Sequence, residues 1–339
     1  VLKKAASIFE YFNHNGYNVY GTGKLFHHKQ AEVLKRKDGF NGNSPISRDV
    51  GPFAYNGEEM VGHPGAPDVF KMGKWPEFVS FASLADVPQI PPKPQENIPG
   101  YEGWVNRDRT SFYYKNYENR DLMADEKHAQ WAGDVLQKQH DKPFFITVGF
   151  HKPHSPWYAP DKYFKMHPLD QIQLPPYLKN DLEDCAKILE KDTFKPFQIA
   201  TNRFKRMKEA YGEEKLERVW KQWIQAYLAC VSFVDAQIGS VLKALENSNY
   251  AENTIVVITS DHGYHMGEKD RLWKHTMWEE STKIPLIMRT PDMSKKGVEC
   301  MHPVSLIDLY PTLIDLCGLP EKPHKDNEFS LDGYSLRSL

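Results

Sequence analysis

The sequence has little net charge, no long apolar run and few cysteines, and each shortage excludes a class of protein. Lys and Arg total 43 against 45 Asp and Glu in 339 residues, a formal charge of -2, so no general field draws the chain to nucleic acid or to an anionic membrane. No apolar run approaches the roughly 18 residues that cross a bilayer. The four cysteines lack the C-x-x-C spacing of metal and redox sites. Cys230 and Cys317 fall in apolar helical patterns and are predicted to be packed free thiols.

Processing signals are also missing. The first residues, VLKKAASIFEYF, contain neither an initiating Met nor the apolar core of a signal peptide, so we expect the chain to begin inside a longer protein. There is no N-x-[ST] sequon, which disfavours a glycosylated, secreted origin.

What is present is an alternation of helix and strand patterns. Helical periodicity covers KAASIFEYFNHNG, DEKHAQWAGDVLQKQ, residues 219–245 and VSLIDLYPTLIDLCG. Short runs rich in β-branched and aromatic residues cover YNVYGTG, KPFFITVGF, TIVVITS and IPLIMR. This order predicts an α/β fold with a mostly parallel sheet and helices on both faces. With 40% hydrophobic residues, the chain can form one large core or a core with a small lobe.

Residues 39–106 interrupt the alternation. They contain ten of the 24 prolines, and proline breaks both strand ladders and helices. We predict a long surface excursion here, within a single catalytic domain.

Titratable side chains follow three of the predicted strands: Lys24 and His27, then His151, Lys152 and His154, then Asp261, His262 and Lys274. The carboxyl ends of strands in open α/β sheets form one ligand crevice, so these side chains are predicted to converge. Several cations around one crevice suit a phosphoryl or sulfuryl group, whose charge is spread over several oxygens during transfer. The acid among them indicates a metal.

Each of these residues also has an ordinary interpretation. A single lysine or histidine after a strand is commonly a solvated or satisfied polar residue, and Asp261 could cap the turn completed by Gly263. His262 and His265 have an H-x-x-H spacing, but without a third ligand this is a weak zinc signal. The prediction of a functional site rests on the convergence of three strand ends and not on any single residue.

Longer stretches resemble a known family. TSDHGYHMGEKDRLWKHTMWEESTKIPLIMRTP is similar to the second signature region of the sulfatases in the alkaline-phosphatase superfamily, and GFHKPHSPWYAP and GTGKLFHH resemble its iduronate-2-sulfatase branch. The resemblance covers nearly the whole chain outside residues 39–106. It implies a three-layer αβα sandwich around a mostly parallel mixed sheet. It also implies hydrolysis of a sulfated carbohydrate and a divalent cation at the crevice, calcium or alternatively magnesium.

The resemblance implies a role for each residue of the predicted crevice. Asp261 and His262 take the metal-contacting positions, whereas Lys24 and His27 hold the nucleophile and the sulfate. His154 and Lys274 take the sulfate and leaving-group positions, and a histidine that titrates near neutrality can protonate a departing alcohol. Calcium prefers oxygen ligands, so hydrogen-bond donation by His262 to the sulfate or nucleophile is the alternative.

Three further residues are predicted to contact the substrate: Lys152, Trp157 and Tyr158. Lys152 would steer the anion, and the aromatic faces suit stacking on a sugar ring. In the resemblance, Tyr158 stands where the iduronate enzyme has a basic residue, so a sulfated carbohydrate is implied but iduronate is not. Relatives are usually exported, which is an expectation from the resemblance alone. The sequence specifies neither the compartment nor the oligomeric state.

One departure from the family concerns the nucleophile, a cysteine converted to formylglycine within a C-x-P-S-R motif. None of the four cysteines has a proline two residues later, and NSPISR, which begins at Asn43, has the wrong spacing. We expect this motif and an acidic metal-binding pair upstream of Val1, and a C-terminal lobe beyond residue 339. Residues 1–339 would then be a partial catalytic domain, inactive alone.

Two other functions stay open at this point. A phosphodiesterase or phosphonate hydrolase of the same superfamily would use a similar cationic crevice with a different nucleophile. A non-catalytic relative would keep the crevice and bind a sulfated glycan without hydrolysing it.

Overall fold

A computed structural model of the chain describes residues 6–27, 39–41, 44–72, 75–186, 195–291, 297–321 and 330–339, with the backbone alone for residues 195–202. Residues 4 and 5 of the predicted first helix, and Asn43, lie outside the described residues.

The described helices are α1 (Ile8–His14), α2 (Pro76–Val79), α3 (Ala124–Leu136), α4 (Asp161–Lys165), α5 (Lys195–Ala210), α6 (Glu213–Glu246), α7 (Glu279–Thr282) and α8 (Leu309–Leu316). The described strands are β1 (Asn18–Gly23), β2 (Phe53–Tyr55), β3 (Met60–Val61), β4 (Phe81–Ser83), β5 (Gln89–Ile90), β6 (Tyr101–Glu102), β7 (Trp104–Val105), β8 (Ser111–Phe112), β9 (Tyr114–Asn116), β10 (Asn119–Arg120), β11 (Phe144–Gly149), β12 (Trp157–Ala159), β13 (Val256–Thr259), β14 (His265–Met266), β15 (Leu272–Trp273) and β16 (Leu286–Arg289).

The helix α1 begins and ends at local sequence signals. The Ser7 hydroxyl accepts a hydrogen bond from the Glu10 amide at 3.2 Å, and the Glu10 carboxylate accepts one from the Ser7 amide at 2.7 Å, which forms a capping box. Gly16 follows the helix with a φ of 86°, a left-handed conformation that glycine adopts without strain. The chain then turns directly into β1.

The strands β1 and β11 form the pair from which part of the candidate site extends. They are parallel over six residues. Successive side chains of a strand point to opposite faces: Val19 packs with Phe12 of α1, whereas Thr22 contacts His128 of α3 at 2.7 Å. Helices therefore cover both faces of this pair, which is the layered arrangement that the sequence predicts.

The strands β13 and β16 are also confirmed, but they pair antiparallel. Their connection, residues 260–285, contains β14, β15 and no helix longer than the four residues of α7, whereas a parallel crossover usually carries the chain back through a full α-helix. The described pairing is therefore mixed, with parallel pairs at β1–β11 and β4–β12.

The helix α6 lies at the centre of the main core. Its helical prediction is confirmed. A fully buried stripe runs through Ala226, Cys230 and Phe233, and the small side chains of Ala226 and Cys230 let the helix approach β12 closely. Trp223 is also fully buried and stacks on Phe70 with ring centroids 4.4 Å apart. By length and composition alone α6 could cross a membrane, but this face packs on α3, α4 and β12.

Cys230 and Cys317 are free thiols, as predicted, and Cys185 and Cys300 are free as well. Cys230 is buried in the core and Cys317 is half-buried, beside α1 and β1.

The prediction of a surface excursion over residues 39–106 is wrong for much of this region. The strands β2, β3 and β7 join β8 in a four-stranded antiparallel sheet. Phe70, Phe81, Leu84 and Trp104 are buried in the main core, with Phe70 and Leu84 fully inaccessible. The strands of this region are only two or three residues long, between frequent prolines, so no periodic pattern in the sequence reveals them. Large aromatic side chains anchor the region in the core.

Candidate active site

The carboxyl ends of β1 and β13 meet through Lys24 and Asp261. The Lys24 Nζ donates a hydrogen bond to the Asp261 Oδ2 at 2.9 Å, across 237 positions of sequence. The Lys24 side chain is 18% exposed and that of Asp261 59% exposed, so the pair is partly open to solvent, and the space beside Lys24, Asp261, His262 and Lys274 is called the crevice. Burial opposes ionisation of Asp261, but the hydrogen bond and charge of Lys24, together with nearby His262 and Lys274, leave its pKa below the usual range.

His262 connects this pair to Lys274. The Lys274 Nζ lies 2.8 Å from the His262 Nε2, and an ammonium group only donates, so this ring nitrogen accepts. The His262 Nδ1 lies 2.8 Å from the Gly263 carbonyl oxygen and therefore carries the ring proton. In this arrangement His262 is a neutral acceptor, and its Nε2 is 3.5 Å from the Asp261 Oδ1. The alternative prediction, that His262 donates to a bound anion, does not agree with this tautomer.

Lys274 is a buried cation, with 6% of the residue exposed. Burial, followed by the positive charge of Lys24, lowers its pKa to about 8, against the opposing attraction of Asp261. Burial and the charge of Lys274 in turn lower the pKa of His262. At neutral pH the crevice therefore holds two charged lysines, one carboxylate and a neutral imidazole, which leaves an excess of positive charge for an anion to offset.

His154 lies in the same electrostatic environment. Burial, followed by the charge of Lys274 and then those of Lys24 and Lys152, lowers the pKa of His154 to about 3, although its hydrogen bond to the Ser155 carbonyl opposes the shift. The Nδ1 makes this bond at 2.5 Å. These shifts do not favour a histidine that titrates near neutrality in the free crevice, because the charges of three lysines act on a half-buried ring.

The loop that carries Lys274 has an unusual backbone. Its non-glycine residues with positive φ are Lys269 (53°), Asp270 (54°), Trp273 (136°) and His275 (73°). Such conformations are costly and persist only where surrounding contacts hold them, most often at functional sites. Here Asp181 bonds the Lys269 Nζ at 2.7 Å, and the Tyr177 hydroxyl donates to Asp270 at 2.7 Å. These contacts fix the position of Lys274.

Asp125 is a supporting residue that the sequence did not reveal. It is 3% exposed, and its two carboxylate oxygens accept the backbone amides of His151 at 2.8 Å and Lys152 at 2.9 Å. It thereby anchors the start of the loop that carries His154. In the sequence Asp125 resembles any acid placed in the first turn of a helix to offset the helix dipole, so nothing signalled this contact.

His275 was not assigned a role either, yet it lies beside the crevice. Burial, and then the charges of Lys274 and His262, lower its pKa. His27 lies three residues beyond Lys24 with an exposed side chain, at the outer edge of the same segment.

The three predicted substrate contacts are not at the crevice surface, and the structure corrects them. Lys152 is 4% exposed, and its Nζ donates to the carbonyls of Pro156 at 2.5 Å and Val50 at 3.3 Å. Trp157 and Tyr158 are fully buried. They occupy adjacent positions of β12 and so face opposite ways: Trp157 packs on Trp223 of α6, with centroids 4.0 Å apart, and Tyr158 on Trp104, at 4.8 Å. A sugar ring cannot stack on either.

The metal prediction is limited by the available ligands. Calcium takes six to eight oxygen ligands, whereas Asp261 offers one carboxylate that is already paired with Lys24. In the part of the chain that the structure describes, no group of three or more Asp, Glu, His or Cys side chains is arranged to hold a metal ion. The described residues alone do not fit a calcium site.

Comparison with known proteins identifies a family that shares these features. The sulfatase family model matches residues 2–319. A protein from Formosa agariphila named "Sulfatase" is 36% identical over 310 residues, covering 91% of this chain and 52% of that protein. The iduronate 2-sulfatase of Homo sapiens is 25% identical, covering 94% of this chain and 55% of that protein. The chain thus spans about half the length of these relatives.

Solved structures agree on the architecture. A protein in complex with its substrate D-glucosamine-2-N,6-O-disulfate matches 98% of this chain and 63% of its own, with a TM-score of 0.55 at 18% identity. A 2-O GAG sulfatase matches 98% of this chain and 55% of its own, with a TM-score of 0.52 at 19% identity. At these identities the likeness concerns the fold, and the predicted α/β, alkaline-phosphatase-like architecture is confirmed.

Proposed function

The chain belongs to the sulfatase family, and on that basis we propose that it hydrolyses sulfate esters of a carbohydrate. The observation that carries the proposal is the contact chain from Lys24 through Asp261 and His262 to Lys274. It joins two strand ends that are distant in sequence and leaves two ammonium groups beside one crevice.

The charges suit the reaction. Water converts R–O–SO3⁻ to R–OH and HSO4⁻, the bond between sulfur and the ester oxygen breaks, and the departing oxygen takes a proton. Negative charge develops on that oxygen and is spread over the other sulfate oxygens. Preorganised cations stabilise such charge most strongly in a partly dehydrated site, which describes Lys24 and the buried Lys274.

Lys274 is the better proton donor of the two predicted leaving-group residues. A general acid works best when its pKa is near the working pH. The pKa of Lys274 is lowered to about 8, so it is mostly protonated at pH 7 and still gives up a proton readily. His154, with a pKa of about 3, is neutral in the free crevice, and its Nδ1 proton is committed to the Ser155 carbonyl. In the free crevice the Nε2 of His154 can therefore accept a proton or a hydrogen bond.

A sulfated sugar is the substrate class that the comparisons favour. One structural neighbour was solved with D-glucosamine-2-N,6-O-disulfate and another is a 2-O GAG sulfatase. Neither Trp157 nor Tyr158 supplies a contact that selects iduronate, because both are buried in the core.

The test measures sulfate release from a sulfated oligosaccharide and an aryl sulfate, beside phosphate diester and phosphonate substrates. Both the 339-residue chain and the longest form of the protein that its gene encodes are assayed. We expect sulfate esters to be preferred and Lys24→Met to lower the rate at least 100-fold, a typical loss when a preorganised charge is removed. Lys243→Met, on the exposed end of α6, is the matched control.

Two outcomes overturn the proposal. Faster cleavage of phosphate or phosphonate esters supports the alternative hydrolase. Saturable binding of the sulfated oligosaccharide without turnover by the longest form supports a non-catalytic glycan-binding protein.

A further inference from the structure

A second cationic site adjoins the crevice. Residues 45–48 run beside the end of β1, where the Gly23 amide donates to the Pro45 carbonyl at 3.1 Å and the Ser47 amide donates to the Gly23 carbonyl at 2.9 Å. Since Lys24 follows Gly23, this segment starts next to the catalytic edge. It forms one wall of a recess of about 520 Å³, which is within the size range of small-ligand sites.

The other walls bring two more cations to this basic recess, which we define by Arg48, Arg107 and Lys127. The Arg107 guanidinium donates to the Arg48 carbonyl at 2.8 Å, and this bond ties the loop after β7 to the segment beside β1. Lys127 extends from α3, two residues after Asp125. The recess is therefore fixed to the same elements that position Lys24 and the His154 loop.

Two acids also line the recess, and one carboxylate oxygen of each accepts hydrogen bonds from its own loop. The Asp49 Oδ1 accepts the Gly51 amide at 2.9 Å. The Asp108 Oδ1 accepts the Thr110 amide at 3.0 Å and the Thr110 hydroxyl at 2.6 Å. These bonds shape the two loops.

Among the described residues the three cations form no close ion pair, although the charge of Lys127, after the hydrogen bonds from Thr110, helps to lower the pKa of Asp108. Within the described ranges, no salt bridge joins Arg48, Arg107 or Lys127 to an acid. Three cations against two locally engaged acids leave the recess positively charged. A guanidinium group matches the paired oxygens of a sulfate or carboxylate in geometry.

We propose that the basic recess binds a second anionic group, a sulfate or carboxylate, on the same carbohydrate chain whose sulfate ester lies in the crevice. This inference rests on the proposed function for the nature of the substrate. It makes the enzyme selective for polyanionic oligosaccharides over sugars that carry one sulfate, because only the former can occupy the crevice and the recess together. Linking two contacts in one ligand raises affinity without any new contact.

Binding is tested on the 339-residue chain by calorimetry, with a heparin-derived tetrasaccharide and with a glucosamine that carries one sulfate. Exposed ion pairs contribute modestly one by one, so we expect the double variant Arg48→Gln, Lys127→Gln to weaken tetrasaccharide binding on the order of tenfold. Its dependence on salt concentration should become shallower as charge contacts are lost. Binding of the singly sulfated sugar should not change. Arg109→Gln is the matched control, because Arg109 lies on the same loop but sits over the Tyr55 ring.

The outcomes separate this proposal from the proposed function. The recess proposal is rejected if the double variant leaves tetrasaccharide binding unchanged, or if it weakens the binding of both ligands equally. It is also rejected if the double variant and Arg109→Gln have the same effect on tetrasaccharide binding. Lys24→Gln is expected to weaken both ligands. If Lys24→Gln changes the binding of neither ligand while the double variant weakens tetrasaccharide binding, the recess proposal is supported and the proposed function of the crevice is rejected. If the wild-type chain binds neither ligand, both proposals are rejected. Thermal melts check that every variant is folded.

Discussion

The ammonium group of Lys274 points at the Nε2 of His262 from 2.8 Å, and this contact leaves that ring nitrogen without a proton. A histidine that accepts from lysine has to be neutral at that nitrogen, and a lysine buried beside another lysine is held in its charged form at a cost. The crevice is thus preorganised for an anion before any anion arrives.

Lys274 destabilises the folded chain at neutral pH. Its pKa falls from 10.5 to about 8, a difference worth roughly 3 kcal/mol. Because the folded state binds the proton more weakly, this cost is fully present below pH 8 and disappears as the pH rises from 8 to 10.5. The hydrogen bond to His262 offsets part of it. We expect Lys274→Met to raise the free energy of unfolding by about 2 kcal/mol at pH 7, and by almost nothing near pH 10.5.

Urea denaturation of the Lys274→Met variant at both pH values measures this, with Lys243→Met as control. A gain of equal size at both pH values, or no gain at pH 7, contradicts the prediction. The same substitution should lower sulfate ester hydrolysis by 100-fold or more, since a proton donor in a transition state contributes about that much.

Calcium should bind the 339-residue chain weakly. Asp261 is the carboxylate at the crevice, and Lys24 competes with any cation for its oxygens. Sites with few charged ligands have dissociation constants of about 0.1 to 1 mM, and we expect a value at or above this range by calorimetry. Lys24→Gln should tighten binding by removing the competitor, and Asp261→Asn should abolish it. Micromolar affinity in the wild-type chain, or affinity that survives Asp261→Asn, would contradict the assignment.

The sequence predicted the layered architecture and the meeting of Lys24, Asp261, His262 and Lys274 because both depend on patterns that are local. Strand ends in an α/β sheet share an edge, so residues that follow β1 and β13 are candidates for one crevice wherever they stand in the chain. The strand pairing at β13 and β16 was harder to foresee, since the pairing direction depends on the connection between the strands.

A single misassigned region explains two of the three misplaced substrate contacts, Lys152 and Tyr158, whereas Trp157 is buried against Trp223 of α6. Residues 39–106 were predicted to lie at the surface, but Trp104 from this region covers Tyr158, and the Val50 carbonyl accepts a hydrogen bond from Lys152. Once that layer is in place, β12 is covered on both faces and its aromatic side chains become core. Contacts between segments so distant in sequence leave no periodic signal in either one.

Asp125 should prove to be a positioning residue for His154. Its charged carboxylate accepts two backbone amides of the loop, and hydrogen bonds to charged groups are worth about 1.5–3 kcal/mol each. Asp125→Asn leaves one side-chain acceptor and puts a donor where the second was. We expect a loss of roughly 2–3 kcal/mol in the free energy of unfolding. Asp134→Asn, on the exposed side of α3, should change it by less than about 0.5 kcal/mol.

A merely structural role for Asp125 would lower stability alone. A positioning role should also shift the His154 pKa, measured by NMR, because the ring would move relative to the lysines. An unchanged His154 titration in folded Asp125→Asn protein would contradict it.

His154 should become a titrating group only when an anion is bound. In the free chain its pKa is lowered to about 3, through burial and then the charge of Lys274, so the imidazole stays neutral from pH 8 down to about pH 4. Because the unfolded chain takes up that proton near pH 6.5, folding stability is lost as the pH falls from 6.5 towards 3.

A sulfate ion in the crevice offsets the lysine charges and favours the imidazolium. We therefore expect added sulfate to raise the His154 pKa and sulfate affinity to increase as the pH is lowered, both followed by NMR titration of the ring nitrogens. Lys274→Met should raise the same pKa without sulfate, since it removes the largest opposing charge. A His154 that titrates near 6.5 in the free chain, or a pKa that ignores both sulfate and Lys274→Met, would show that the crevice lacks the concentrated positive charge on which the proposed hydrolysis depends.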